Sequence, residues 1–176
     1  RIPEDRHAVG VVGDLAVWEN AIAERLRTPA FTRAGFVRRA AGRVHAQDLV
    51  RRFDVRCSGI DVPARALSGG NMQKLILGRA LSVGAGATPA LIVADQPTWG
   101  LDIGAVAYVH QCLLDAAAAG AAVLLISEDL DEIFAIADRI GVMYHGRLSP
   151  LRPAEGWTLA AIGLAMAGAE EAAHAA

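Results

Sequence analysis

Three short stretches hold residues whose types and spacing suit chemistry. The first is "ALSGGNMQKLILGRAL", residues 66–81, where a hydroxyl residue, Ser68, and two glycines, Gly69 and Gly70, stand directly ahead of an apolar helical pattern. Glycine pairs are conformationally costly and occur where a backbone must approach something closely. The second is "LIVADQ", residues 91–96. An apolar strand ending in Asp95 sets a carboxylate at the C-terminal edge of a parallel sheet, which is where open α/β folds bind ligands. A carboxylate there suits Mg²⁺, usually through water; it equally suits a plain cap on the following turn. The third is "PTWGLD", residues 97–102, a turn whose last residue, Asp102, precedes another helical pattern.

The elements that position these residues follow from periodicity and punctuation. Ile2-Pro3 forces extended backbone at the start. Residues 14–60 read as helical: "DLAVWENAIAERL" has Asp14 as its cap and apolar positions Leu15, Trp18, Ile22 and Leu26, Pro29 ends it, and an arginine-rich helix follows over roughly Val37 to Phe53. After Ser68 the apolar positions Met72, Leu75, Ile76 and Val83 keep helical spacing until "GAGATP" breaks the chain. "ALIVAD" reads as a strand buried on both faces. From Asp102 the stripe Ile103, Val106, Ala107, Leu113, Leu114 and Ala117 predicts a helix closed by Gly120. "AAVLLIS" is then a second buried strand, and "EDLDEIFAIADR" a helix with acidic residues in its first turn. "IGVMYHGRL" is a third strand with a turn at His145-Gly146. Strand, helix, strand, helix, strand predicts an α/β fold, a parallel sheet with crossover helices, joined to a helical subdomain. A short amphipathic helix and a fraying alanine-rich end close the chain.

Composition bounds the class. The chain has 176 residues, 53% apolar and 20% charged, with a formal net charge of −2, which is globular and argues against nucleic acid as partner. Cys57 and Cys112 are too far apart for a metal site and read as reduced cytosolic thiols that pack as small hydrophobes. No apolar run reaches membrane-span length. There is no signal peptide, and the first residue is not methionine, so the expectation is a cut point inside a longer protein.

Taken in order, "LSGGNMQK", the apolar strand ending in Asp95, "PTWGLD" and "LLISEDL" resemble the motif set of the ATP-binding-cassette (ABC) ATPases, over residues 1 to about 150. "IPEDR", "GLDIGA" and "SEDLDEI" are closest to the second ATPase domain of tandem-domain importers for simple sugars and nucleosides, and "TLAAIGLAMAG" is similar to their closing segment. The resemblance implies a Q-loop-like segment at 1–13, a helical subdomain at 14–66, the ATPase core motifs at 67–150 and a C-terminal helix and tail at 151–176. It implies ATP and Mg²⁺ as cofactors, with Asp95 the metal residue. The signature residues Leu67, Ser68, Gly69, Gly70 and Asn71 would close over the γ-phosphate of ATP held by a partner domain, the helix aiming its positive end at that phosphate. Asp102 would be the D-loop residue crossing the dimer interface, or simply the N-cap of its helix. Implied partners are an upstream ATPase domain of the same chain, permease subunits and a solute-binding protein, at the cytoplasmic face of a bacterial membrane.

Five departures stand out. No "GxxxxGK[ST]" phosphate loop is present, which predicts the C-terminal part of one ATPase domain, unable to bind ATP tightly alone. Gln96 stands where the family has its general-base glutamate, Glu128 where it has the switch histidine, and Glu4 where it has the glutamine linking to the membrane domain. Trp99 replaces an arginine common in this branch. Gln96 and Glu128 serve this domain's own nucleotide, while the signature serves the other, so the expectation is one slow and one fast composite site. Two rival readings differ in class: a soluble ABC ATPase acting on nucleic acid or ribosomes, which would need a coiled-coil insertion or basic linkers, and a non-catalytic module on a decayed ATPase. His110 reads as a packed histidine. The arginines at 38, 39, 43, 51 and 52 read as a solvated face. Trp18, Glu19 and Asn20 read either as a permease-facing segment or as cap and core.

Overall fold

The computed structural model describes residues 1–82 and 89–168. Val83 and most of "GAGATP", and the alanine-rich end from residue 169, lie outside the described residues. The chain divides into two compact units, Arg1–Ile126 and Ser127–Ala176.

In the first unit a π-helical turn, Arg6–Gly10, precedes α1 (Val17–Ile22), a hairpin of β1 (Thr32–Arg33) and β2 (Phe36–Val37), α2 (Arg39–Arg52) and α3 (Gly69–Leu81). Then come β3 (Leu91–Asp95), α4 (Ile103–Ala118) and β4 (Ala122–Ile126). β3 and β4 pair in parallel, Leu91 opposite Ala122 through Asp95 opposite Ile126, with α4 as the crossover. On the other edge of β3, Ile2 donates to the Val93 carbonyl at 2.8 Å and accepts from the Asp95 N–H at 2.9 Å, so the extended start of the chain adds a short third rung. The predicted strand–helix–strand unit is present.

Five details differ from the sequence expectation. Asp14 does not cap α1: it pairs with Arg65, and the cap position is Ala16. The first N–H groups of α1, on Val17 and Trp18, donate to the carbonyls of Val62 and Ile60 at 3.0 Å each, while Glu19 accepts from the Ala16 N–H at 2.9 Å. Distant backbone thus fills the role a side-chain cap would have had. Second, residues 54–63 are not helical, because Asp54 turns into the left-handed region (φ 48°) and the chain then runs extended to meet α1. Third, the strands are not buried on both faces. Ile92 and Ala94 are buried, but Leu91, Leu124 and Ile126 are exposed, so the pair alternates and one face lies open. Fourth, the buried line of α4 is Val109 and Leu113, whereas Ile103, Ala107 and Leu114 are exposed. Gln111 and Asp115 mark the exposed face, and the small alanines beside them blur the stripe that periodicity predicts.

The fifth concerns "IGVMYHGRL", in the second unit. It forms no parallel strand; β5 (Arg139–Ile140) runs antiparallel to β8 (Arg152–Pro153), and β6 (Met143–Tyr144) and β7 (Arg147–Leu148) make a hairpin. The predicted turn is there: His145 and Gly146 both have positive φ, 45° and 78°, which closes a two-residue hairpin and reverses the strand. α5 (Leu130–Ile136) is capped by Asp129, and α6 (Leu159–Met166) by Thr158. Trp157, Ile140, Val142, Ile162 and Ala165 form this unit's core.

The first unit's core is built around α3, which buries Met72, Leu75, Ile76 and Leu77. α2 crosses it closely at Gly78, where a Cβ would lie 2.7 Å from Leu49 Cδ2 and 2.9 Å from Phe53 Cδ2. Gly78→Val is therefore expected to destabilise the fold by about 1–3 kcal/mol through overpacking. Urea unfolding checks it; unchanged stability would mean that α2 moves away freely. The arginine face is largely engaged: Arg43 with Asp61, Arg51 and Arg52 with Asp48, and Arg39 over the Trp18 ring. Among the described residues no helix is long and apolar enough to cross a membrane.

Candidate functional site

Ser68 caps α3. Its Oγ accepts from the Asn71 backbone N–H at 3.4 Å and from Asn71 Nδ2 at 2.8 Å, while Asn71 Oδ1 accepts from the Arg56 N–H at 2.7 Å. The asparagine thus braces the loop as well as the serine. Leu67 is buried and anchors the turn from below. Asp102 caps α4 in the same way, its Oδ1 accepting from the Ala105 N–H at 2.9 Å. The two helix starts share one open cleft of about 430 Å³, with Ser68, Gly70 and Asn71 on one wall and Asp102, Ala105 and Tyr108 on the other. A Cβ on Gly70 would touch the Ala105 methyl at 3.5 Å, ordinary van der Waals contact, which shows how near the two N-termini lie. First-turn amides lack intrahelical acceptors, and two helix N-termini opening on one cleft favour an anion.

Two cations line the cleft, Arg56 and Lys74, and both pair with Asp54. Lys74 Nζ lies 2.7 Å from the Asp54 carboxylate, 3.0 Å from its carbonyl and 4.8 Å from the Tyr108 ring centroid. That ammonium keeps the Asp54 carboxyl below its ordinary range. Burial raises the pKa of the Tyr108 hydroxyl, which donates to the Phe53 carbonyl at 3.0 Å.

Asp95 sits half-buried at the C-terminal end of β3, and the next residue, Gln96, has φ 45°. A non-glycine residue in that region is uncommon. Here the Gln96 N–H still donates to the Ile126 carbonyl at 2.8 Å while the chain turns away. Among the described residues no three histidine, cysteine or carboxylate side chains gather as a metal cage. One half-buried carboxylate fits Mg²⁺ held jointly with phosphate oxygens rather than by protein alone. Glu4 is exposed, next to Asp5, which caps the π-helical turn. Glu128 belongs to the second unit and is exposed beside the Asp129 cap. The structure therefore brings Ser68, Gly70, Asn71 and Asp102 together, and places Asp95 and Gln96 at the strand end.

Two further residues, within the quoted "LSGGNMQK" and "IPEDR" stretches but given no role by the sequence reading, hold the turn that links them. Gln73 is buried in α3 and donates from Nε2 to the Pro97 carbonyl at 2.7 Å. Its signal was a polar residue on a buried stripe. Arg6 reaches the carbonyls of Trp99 and Gly100 at 2.6 and 3.3 Å, a contact that nothing local announces.

Comparison with known proteins gives the chain its relatives. No family model matches it. It is 40% identical over 167 residues to the nucleoside import ATP-binding protein NupA of Lactococcus lactis subsp. cremoris, covering 95% of this chain and 32% of the relative. It is 39% identical to the guanosine import ATP-binding protein NupO of Bacillus subtilis, over 97% of this chain and 32% of the relative. With the glucose import ATP-binding protein TsgD13 of Haloferax volcanii it shares 42% identity, over 97% of this chain and 31% of the relative. The chain spans about a third of the length of these relatives. Among solved structures, the dimeric post-hydrolysis state of the ATP-binding cassette MJ0796 bound to ADP and Pi superposes with a TM-score of 0.65 at 20% identity, covering 89% of this chain and 64% of that one.

Proposed function

We infer that this chain, an ATP-binding-cassette ATPase in sequence and fold, works within an importer that couples ATP binding and hydrolysis to uptake of a nucleoside or simple sugar. The similarity to nucleoside, guanosine and glucose import proteins supports the class of solute. One observation carries the mechanism: the Ser68 and Asp102 helix starts open together on one cleft, in a sequence that has no phosphate loop of its own. Such a surface suits phosphate presented by another domain. Ser68 offers its hydroxyl, Gly69 and Gly70 their N–H groups, and Leu67 and Asn71 hold the loop in shape. Asp102 crosses toward the partner while capping α4. Asp95 would hold Mg²⁺, which when bound neutralises phosphate charge. Glu4, Gln96 and Glu128 serve the nucleotide of this chain's own domain, making that composite site the slower of the two. The upstream ATPase domain, permease subunits and a solute-binding protein are the partners, at the cytoplasmic face of the membrane.

Ser68→Asp tests the trans role. Aspartate caps a helix as well as serine does, so α3 is retained, but its charge repels phosphate. In the assembled importer, hydrolysis is expected to fall about 100-fold, as when a preorganised donor is lost, with little change in melting temperature. Hydrolysis at the wild-type rate would sink the reading. The second reading, a non-catalytic module, is favoured by the Gln96 and Glu128 positions; it predicts nucleotide binding without turnover at either site.

A further inference from the structure

We propose that Arg6 is a positioning residue that ties the turn before α4 to the π-helical turn and packs along the start of α3, so that the two helix N-termini face the cleft in fixed register. Three observations within the first unit converge on it. The guanidinium spans two successive carbonyls, Nη1 donating to Trp99 at 2.6 Å and Nη2 to Gly100 at 3.3 Å. The same group lies along the first residue of α3: a Cβ built on Gly69 would meet Arg6 Nε and Nη2, each at 3.5 Å. And Gly100, at φ 66°, lies tight against the same group, since a Cβ built there would come within 3.2 Å of Arg6 Nη2.

The turn needs such a brace. It opens on the left-handed Gln96 and ends near the left-handed Gly100, and its own backbone bonds are two single turns, Trp99 N–H to the Gln96 carbonyl at 3.2 Å and Leu101 N–H to the Thr98 carbonyl at 3.1 Å. Gln73 fixes its beginning at Pro97, and Arg6 fixes its end. Arg6 also lies in the π-helical turn that Asp5 caps, through bonds of 2.9 and 2.8 Å to the His7 and Ala8 N–H groups. A shift of residues 4–10 is therefore passed to Asp102 through one planar, two-pronged side chain. Lysine cannot replace it fully, because a single ammonium lacks the fork that spans both carbonyls.

The catalytic part of this inference rests on the proposed importer function; the mechanical part does not. In the assembled importer, Arg6→Gln is expected to raise amide hydrogen exchange at Trp99 and Leu101 about tenfold or more. It should lower kcat for ATP about 10- to 100-fold through misplacement and leave KM within about twofold, because Arg6 is placed against the loop rather than the nucleotide. Arg6→Lys should fall between in both readouts, and it serves as the test if the glutamine variant does not fold. Unchanged exchange at Trp99 and Leu101 overturns the proposal, as does faster exchange with unchanged kcat, or a raised KM at constant kcat. If the unsubstituted importer hydrolyses no ATP, the functional reading fails by itself, and the exchange result alone decides whether Arg6 is the brace.

Discussion

Gln96→Glu is expected to speed ATP hydrolysis at the composite site that uses Asp95 by about 10²- to 10⁴-fold, the usual contribution of a positioned general base. A glutamine amide can orient a water molecule but cannot take its proton at neutral pH. Gln96 keeps its N–H bond to the Ile126 carbonyl at the end of the parallel ladder, at a φ of 45°. Glutamate is nearly isosteric with glutamine, so the side chain's volume is kept while its chemistry changes. The measurement is single-turnover hydrolysis resolved between the two composite sites of the assembled importer. Equal rates at both sites before substitution would end the asymmetric reading. So would a glutamate variant no faster than the native protein.

Asn20→Ala is expected to destabilise the first unit by roughly 3 kcal/mol or more, since each buried polar group left without a partner costs about 1–3 kcal/mol. Asn20 is fully buried and acts as the hub of the segment between the π-helical turn and α1. Its Oδ1 accepts from the Val12 N–H at 2.8 Å. Its Nδ2 reaches the carbonyls of Val12, Ala16 and Leu15 at 3.0, 3.1 and 3.2 Å. Against a typical domain stability of about 5–15 kcal/mol, that loss is large. Asn20→Asp separates bonding from volume: a carboxylate fills the same space and still accepts from Val12, but turns a negative oxygen toward three carbonyls. It should be at least as destabilising as alanine in denaturant melts. An aspartate variant as stable as the native chain would show that the three carbonyl contacts carry little energy.

The same residue shows where sequence reading stopped. Trp18, Glu19 and Asn20 left two readings open, a permease-facing segment and a cap-and-core segment. The structure gives Trp18 and Asn20 burial and Glu19 a bond to the Ala16 N–H, which is what cap and core require.

What the sequence determined by itself was carried by local signals. Ser68 and Asp102 as helix starts, Gly120 as the residue that ends α4, the His145-Gly146 turn and the β3–α4–β4 order all depend on a few adjacent residues and on periodicity. The ordered motifs identified the family because their spacing is set by that same local architecture. What only the tertiary structure decided depends on residues far apart in the chain. Backbone from 60–62 replaces Asp14 at the start of α1, Asp95 and Gln96 are tied to Ile2 and Ile126, and Arg6 spans to carbonyls more than ninety positions away. A carbonyl is chemically the same at every position, so no side-chain pattern reveals which one an arginine or an N–H group will find. The exposed face of β3 and β4 escaped prediction for a related reason. A run of apolar residues states that burial is favourable, while the packing of the whole chain decides which side receives it.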